Sequence, residues 1–201
     1  MSCTYVPVCT DFNKMSPAIW SQGFSASEEH FFTVLTDVRR EEFNKVDSRE
    51  GTTMLMYVIR QGWNDAAMAV LNHEFFDPTT INTRQRRPAT WPYESDPICR
   101  TALHIATLQC KLFGIGRVNR SLELEQVADK WRPVIEKLLE IPNILNLPDD
   151  EGSTPLMVMV ELEEYDIAHK MLRVFSGDNI NSTTGGKVET NTVLGMLIGQ
   201  G

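Results

Sequence analysis

The chain reads as an all-α protein built by repeating one helical unit, and three observations carry that reading. A six-residue segment opening on threonine recurs. Thr101-Ala102-Leu103-His104-Ile105-Ala106 is echoed by Thr53-Met54-Leu55-Met56-Tyr57-Val58, Thr154-Pro155-Leu156-Met157-Val158-Met159 and Thr192-Val193-Leu194-Gly195-Met196-Leu197. A second apolar signature follows at a fixed offset: Ala66-Ala67 and Val70-Leu71 stand as far behind Thr53 as Ile167-Ala168 and Met171-Leu172 stand behind Thr154. The third observation is composition, since 42% hydrophobic and 23% charged residues over 201 positions supply a substantial core in one or two globular units. One helix pair cannot bury its own apolar face, so apolar positions repeated in register imply neighbours that stack.

The recurring segment resembles the ankyrin repeat, whose signature is Thr-Pro-Leu-His-x-Ala, and Thr101 to Ala106 carries the likeness best. The resemblance implies an all-α, ankyrin-type helical solenoid of about four to five irregular repeats with extended finger loops. Residues 1–24 are expected to form an N-terminal extension or cap, and residues 25–201 the repeat domain. Counting from Thr192, Gly201 falls on the glycine that ends the first helix of a repeat. The expectation is therefore a longer protein, a partner over Val193, Leu194, Leu197 and Ile198, or a short packed terminal helix.

The elements follow in order. Residues 1–24 carry Val6, Val8, Phe12, Met15, Ile19 and Trp20 without clear periodicity. Ser25 to Asn44 puts Phe31, Phe32, Leu35, Val38 and Phe43 on one helical stripe, with Ser27, Glu28 and Glu29 at its start. Each motif threonine opens a first helix, where its hydroxyl accepts from free backbone N–H groups, and Pro155 suits the first turn. After Thr53 that helix runs to about Gln61, with Gly62 as the left-handed stop and Trp63-Asn64 leading into a second helix. Ile81-Asn82, Leu145-Asn146 and Ile180-Asn181 take the loop position where the family carries Val-Asn, and Asp149 to Gly152 is the turn before Thr154.

Successive threonines stand further apart than the ~33-residue family period, so each interval holds an insertion. The first is Gln85 to Pro97, where Pro88, Pro92 and Pro97 forbid a regular helix and an elongated finger loop is expected. The second begins near Lys111; Ser121 is expected to cap a helix that lengthens the outer helix through Trp131 to Leu139. The third is Ser182 to Val188, whose Gly185-Gly186 suggests a loop tip.

Composition also excludes classes. No apolar run approaches the ~18–20 residues that cross a bilayer, and Leu156 to Val160 is followed at once by Glu161. The N-terminus lacks a basic, then apolar, leader before Asp11 and Lys14, so an intracellular protein, cytoplasmic or nuclear, is expected. Cys3, Cys9, Cys99 and Cys110 fit reduced thiols, and the sequons at Asn119 and Asn181 read as chance. A net charge of −8 argues against wholesale nucleic-acid binding.

The candidate chemistry is thin. His104, with Cys99 and Cys110 nearby, could be drawn as a base, but the resemblance implies a structural histidine bonded around the helix start. Met56, Met157 and Gly195 replace it in the sister copies and are expected to forfeit that network. Cys99, His104 and Cys110 lack the fourth ligand of a structural zinc site. Gly185-Gly186-Lys187 fails as a phosphate loop, with Asn181 and Val188 in place of the required glycine and hydroxyl residue. Gly114-Ile115-Gly116 has no preceding strand, and Glu161, Glu163, Glu164 and Asp166 read as a solvated helix end. The expectation is a non-enzyme with no cofactor and no metal.

The resemblance implies a binding surface along the fingers and the exposed side of the inner helices. It maps to Arg49, Glu50, Thr52, Arg60 and Gln61 in the first full unit, and to Ile98, Arg100, Leu108 and Gln109 in the second. In the third it maps to Asp150, Glu151, Ser153, Glu161 and Leu162, so one end of the strip is basic and the other acidic. The long finger adds Arg84, Arg86, Arg87, Trp91 and Tyr93, residue types that anchor protein interfaces. The expected role is a protein-binding scaffold or adaptor for an extended or acidic peptide segment. An inhibitor or pathogen-type effector masking a host protein, and a regulatory domain of a larger enzyme or channel, stand as alternatives.

Overall fold

A computed structural model describes residues 27–47, 50–85, 99–112 and 120–175. Among them the chain is all-helical, with eight α-helices, one short 3-10 turn at Pro78–Thr80 and no strand. The helices are α1 (Glu28–Asp37), α2 (Arg40–Phe43), α3 (Met54–Arg60), α4 (Asn64–Leu71), α5 (Ala102–Leu112), α6 (Arg120–Leu139), α7 (Pro155–Glu161) and α8 (Tyr165–Val174). The expected N-terminal cap of residues 1–24, most of the long finger, the Ser182 to Val188 insertion and the Thr192 copy lie outside the described residues.

Packing follows a regular plan. α3 lies on α4, α5 on α6 and α7 on α8; α5 also touches α3 and α7, while α6 touches α4 and α8. The result is two rows of helices, with α1 set against α4 at one end. Burial separates the rows. In α3 every residue from Met54 to Ile59 is buried, and in α7 every residue from Pro155 to Val160. α4, α6 and α8 bury one stripe each: Ala66, Ala67, Val70 and Leu71; Trp131, Val134, Ile135, Leu138 and Leu139; Ile167, Ala168 and Met171. Their other faces are solvated, the ordinary condition of an amphipathic surface helix. Each large apolar side chain so buried contributes about 1.5–3 kcal/mol, and these residues carry the fold.

The helix starts are built as the sequence predicts. The Thr53, Thr101 and Thr154 hydroxyls accept from the N–H groups of Met56 (3.2 Å), His104 (3.4 Å) and Met157 (3.3 Å). Each bond satisfies an N–H that the helix itself cannot. α4 has no capping side chain of its own, and Glu28 of α1 supplies one, its Oε1 accepting from the Ala66 N–H at 3.1 Å. α1 is capped by Ser27, as expected.

Two expectations are corrected. The stripe from Ser25 to Asn44 is not one helix, because the chain is extended at Val38 and Arg39. A continuous helix would put Arg39 one turn from both Leu35 and Phe43, on the buried face. The break leaves Arg39 exposed and lets Phe43 stack on His73 at 4.5 Å, with Phe75 edge-on at 6.4 Å. Phe32, assigned to the same stripe, is 38% exposed, since it is one residue round the helix from buried Phe31. Ser121 is not a cap either. α6 already includes Arg120, which puts Ser121 within the first helical turn.

Left-handed backbone recurs at equivalent places. Gly62 (φ 81°) ends α3 as predicted, and Glu163 (φ 61°), nine residues after Thr154 as Gly62 is after Thr53, ends α7. Cys99 (φ 66°) takes the position that Gly51 and Gly152 fill two residues before the other capping threonines. A side chain with a Cβ is disfavoured there by roughly 1–2 kcal/mol, part of which a glycine gives back as unfolded-chain entropy. Glu163→Gly is therefore expected to stabilise the protein by about 0.5–1 kcal/mol in urea unfolding, whereas Glu163→Ala brings no such gain.

Candidate functional site

The site begins at the residue before each capping threonine. The Thr52 carbonyl accepts from the Asp47 N–H at 2.8 Å, the Arg100 carbonyl from the Gln85 N–H at 2.9 Å and the Ser153 carbonyl from the Asp149 N–H at 2.8 Å. Each bond closes a loop that projects ahead of α3, α5 or α7. Two loops are short turns, and the middle one is the insertion that opens at Gln85. Its two ends are thus pinned by the same bond that closes its small counterparts. Asp47 Oδ1 accepts from the Glu50 N–H, and Asp149 Oδ1 from the N–H groups of Glu151 and Ser153, which tightens the short turns.

Side-chain amides tie the segments that lead into these loops. Asn44 donates to the Phe75 carbonyl (2.6 Å) and accepts from the Asp77 N–H (3.0 Å); Asn82 donates to the Asn143 carbonyl (2.8 Å) and accepts from the Leu145 N–H (3.0 Å). In both cases one amide binds residues k and k+2 of the next loop, as a neighbouring strand would. Asn146 instead accepts from the Leu156 N–H at 3.1 Å, inside the N-terminus of α7.

His104 joins two pairs. It is fully buried; Nδ1 faces the Thr101 N–H (3.4 Å) and Oγ1 (3.2 Å), and Nε2 lies 3.0 Å from the Ser153 carbonyl. Burial holds its pKa down to about 4, with Arg100 and Arg84 adding to the effect. A neutral, enclosed imidazole with both nitrogens engaged is a tie and not a base. The expectation that Met56 forfeits this network needs correction, because the Met56 sulfur accepts from the Thr53 N–H at 3.5 Å. Cys110 is buried, donates to the Ala106 carbonyl at 3.8 Å and has its thiol pushed up to about 12, chiefly by burial. Cys99 is partly exposed.

The predicted binding residues divide sharply. Arg49, Arg86, Arg87, Trp91 and Tyr93 lie outside the described residues. Arg60 ends α3, half-buried, with Nη1 2.7 Å from Glu50 Oε2. Arg84 and Arg100 flank the two ends of the long loop, and Arg100 Nε stands 3.8 Å from Asp149 Oδ2. Glu151 and Glu161 are exposed on the third pair, as is Asp150. Of the basic positions described, Arg60 is thus paired with Glu50 and Arg100 faces Asp149.

Two strip positions are structural. Gln109 is 4% exposed, and its Nε2 donates to the Arg60 carbonyl at 3.3 Å, so it ties α5 to the end of α3 and does not face outward. Thr52 is 2% exposed. Among the described residues, the buried Thr52 hydroxyl and Arg100 Nε meet no hydrogen-bond partner. The sequence reading missed the Asn44 and Asn82 clamps, the Glu28 cap and the Met56 contact. An asparagine repeated at loop starts was visible, but its partners lie in loops far along the chain.

Among the described residues no group of three or more His, Cys, Asp or Glu side chains could hold a metal ion, and no helix is long and apolar enough to cross a membrane. Gln109→Ala is expected to lower stability by about 1 kcal/mol, the net worth of one such bond, read from the midpoint of chemical unfolding. Comparison with known proteins finds no family model that matches the chain and no curated protein that matches its sequence.

Proposed function

We propose that this chain is a non-enzymatic, ankyrin-type repeat scaffold that binds a protein segment along its finger loops and inner-helix ends. The observation that carries the reading is the finger base. Three loops, two short and one long, close on the same N–H to carbonyl bond one residue ahead of a capping threonine. In this reading α3, α5 and α7 are the inner helices, α4, α6 and α8 the outer ones, and the long middle loop is a finger enlarged for contact. The row order of the helix contacts supports it.

An extended segment suits such a strip better than a compact ligand. The loop bases and the α3 and α7 ends carry Arg60, Arg84, Arg100, Glu151 and Glu161 on three successive helix pairs, and the finger adds Arg86, Arg87, Trp91 and Tyr93 from the sequence. Arginine and tryptophan side chains are common interface anchors, and a few such anchors set affinity more than buried area does. In this reading the protein acts as an adaptor inside the cell.

The test is comparative. The 201-residue chain and an Arg86→Ala, Arg87→Ala, Trp91→Ala triple variant are used as baits in a cytosolic extract, and the retained protein is then titrated against both. The expected outcome is capture by the parent chain, loss in the variant and an unchanged thermal melt, since surface substitutions away from the core seldom exceed about 0.5 kcal/mol. Equal affinity of both baits, or turnover of a small substrate by the purified chain alone, refutes the reading.

A further inference from the structure

We propose that His104 is an acid-sensitive latch: protonation at Nδ1 undoes the cap of α5 and loosens both the base of the long loop and the junction with the turn before α7. The hydrogen-bond set fixes the chemistry. The Ser153 carbonyl can only accept, so Nε2 carries the proton and donates across the 3.0 Å contact. Nδ1 is then the acceptor for the Thr101 N–H at 3.4 Å, with the Thr101 hydroxyl at 3.2 Å.

A second proton has only Nδ1 to occupy. It points an N–H at the Thr101 N–H, donor against donor. The Thr101 hydroxyl can meet that N–H only by sharing an oxygen that already accepts from the His104 N–H at 3.4 Å, and the Thr101 N–H is left without its acceptor. Displacement of Thr101 then reaches the long loop directly, because the preceding carbonyl, that of Arg100, holds the Gln85 N–H at 2.9 Å.

Among the described residues, no acidic side chain acts on the ring to balance the new charge. Arg84 and Arg100 face the ring from the two ends of the long loop and both oppose protonation. Across the junction, Asp149 stands behind Ser153, with Oδ1 on the Glu151 and Ser153 N–H groups and Oδ2 turned to Arg100 at 3.8 Å. The buried residues of α3, α6 and α7, the helices packed on α5, are apolar apart from the Tyr57 phenol.

The sign follows. The ring's folded pKa, about 4, is below the ~6.5 of an unfolded histidine, so the unfolded chain takes the proton first. The latch is at full strength above about pH 6.5 and weakens as pH falls towards 4. Burial raises the Asp149 carboxyl above its usual range, but a proton on Oδ2 leaves the Oδ1 bonds of the turn in place. The chain also contains the natural control, since Met56 caps Thr53 at the equivalent position through a sulfur that takes no proton.

The experiment follows amide exchange and the His104 ring signals by NMR on the 201-residue chain from pH 7 to 4. Expected is loss of protection at the Thr101, His104 and Gln85 amides, tracking the His104 titration, while α3 and α4 amides stay protected. His104→Met should remove that acid step and Asp149→Asn should keep it. The proposal is overturned if His104→Met loses the same amides at the same pH, or if the ring of the unmodified chain titrates near 6.5 without disturbing them. The ring titration needs no variant to fold. None of this depends on the partner-binding reading.

Discussion

The structure depends on one arrangement, a threonine that caps a helix while the carbonyl before it closes a loop. The capping residue must leave helical geometry, because only an extended backbone brings its hydroxyl onto the third N–H of the helix. Thr53 and Thr154 have that backbone, at φ −86° and ψ 164° and at φ −112° and ψ 158°. The same extension frees the preceding carbonyl to bond across the loop, as those of Thr52, Arg100 and Ser153 do. Helix start and loop closure are thus one event. The side chain two residues into the helix completes it twice, as Met56 sulfur and as His104 Nδ1. Of the two, His104 also has a donor, the Nε2–H, and it reaches the next pair.

The polar ties set alignment while packing supplies the energy. Arg132 with Glu164, Lys170 with Glu136 and Lys137 with Glu140 lie partly or largely in solvent, where an ion pair contributes about 0–1 kcal/mol. The buried methionines Met54, Met56, Met157, Met159 and Met171 do more, each through its apolar burial. Methionine also suits a stack of unequal units. Its unbranched, polarizable side chain fills irregular gaps that a β-branched residue could not. α4, α6 and α8 differ widely in length, yet α6 packs on both others without exposing its buried stripe.

What the sequence made legible was what repeats locally. Threonine caps, the Gly62 stop and the apolar pairs of α4 and α8 are set by residues within a turn or two, so spacing alone finds them. The rest depended on partners distant in the chain. Gln109 looked outward by position, but its amide meets the Arg60 carbonyl from the neighbouring helix. Asn82 looked like a loop residue and is a clamp on Asn143 and Leu145. The α1 stripe failed for a different reason: period alone could not see that Arg39 would have to be buried if the helix ran on. Of the candidate site, the pairing of Arg60 with Glu50 and the approach of Arg100 to Asp149 were not readable, since each pair joins a helix or loop end to another loop.

The position of the large insertion follows from the same capping arrangement. In α3 and α7 the left-handed stop comes nine residues after the capping threonine, and one added residue would rotate every later buried position of the helix by about 100°; α5 runs on past that point to Leu112. Across a loop whose ends are already bonded, length is nearly free. Going from the Asp47–Thr52 loop to the Gln85–Arg100 loop is about one and a half doublings, a closure cost of roughly 1 kcal/mol. Packing of the neighbouring helices offsets that easily, and the pinned ends keep α5 in register whatever the loop contains. A chain under pressure to gain contact surface can therefore lengthen at Gln85 to Arg100 without disturbing Thr101, His104 or the helices behind them.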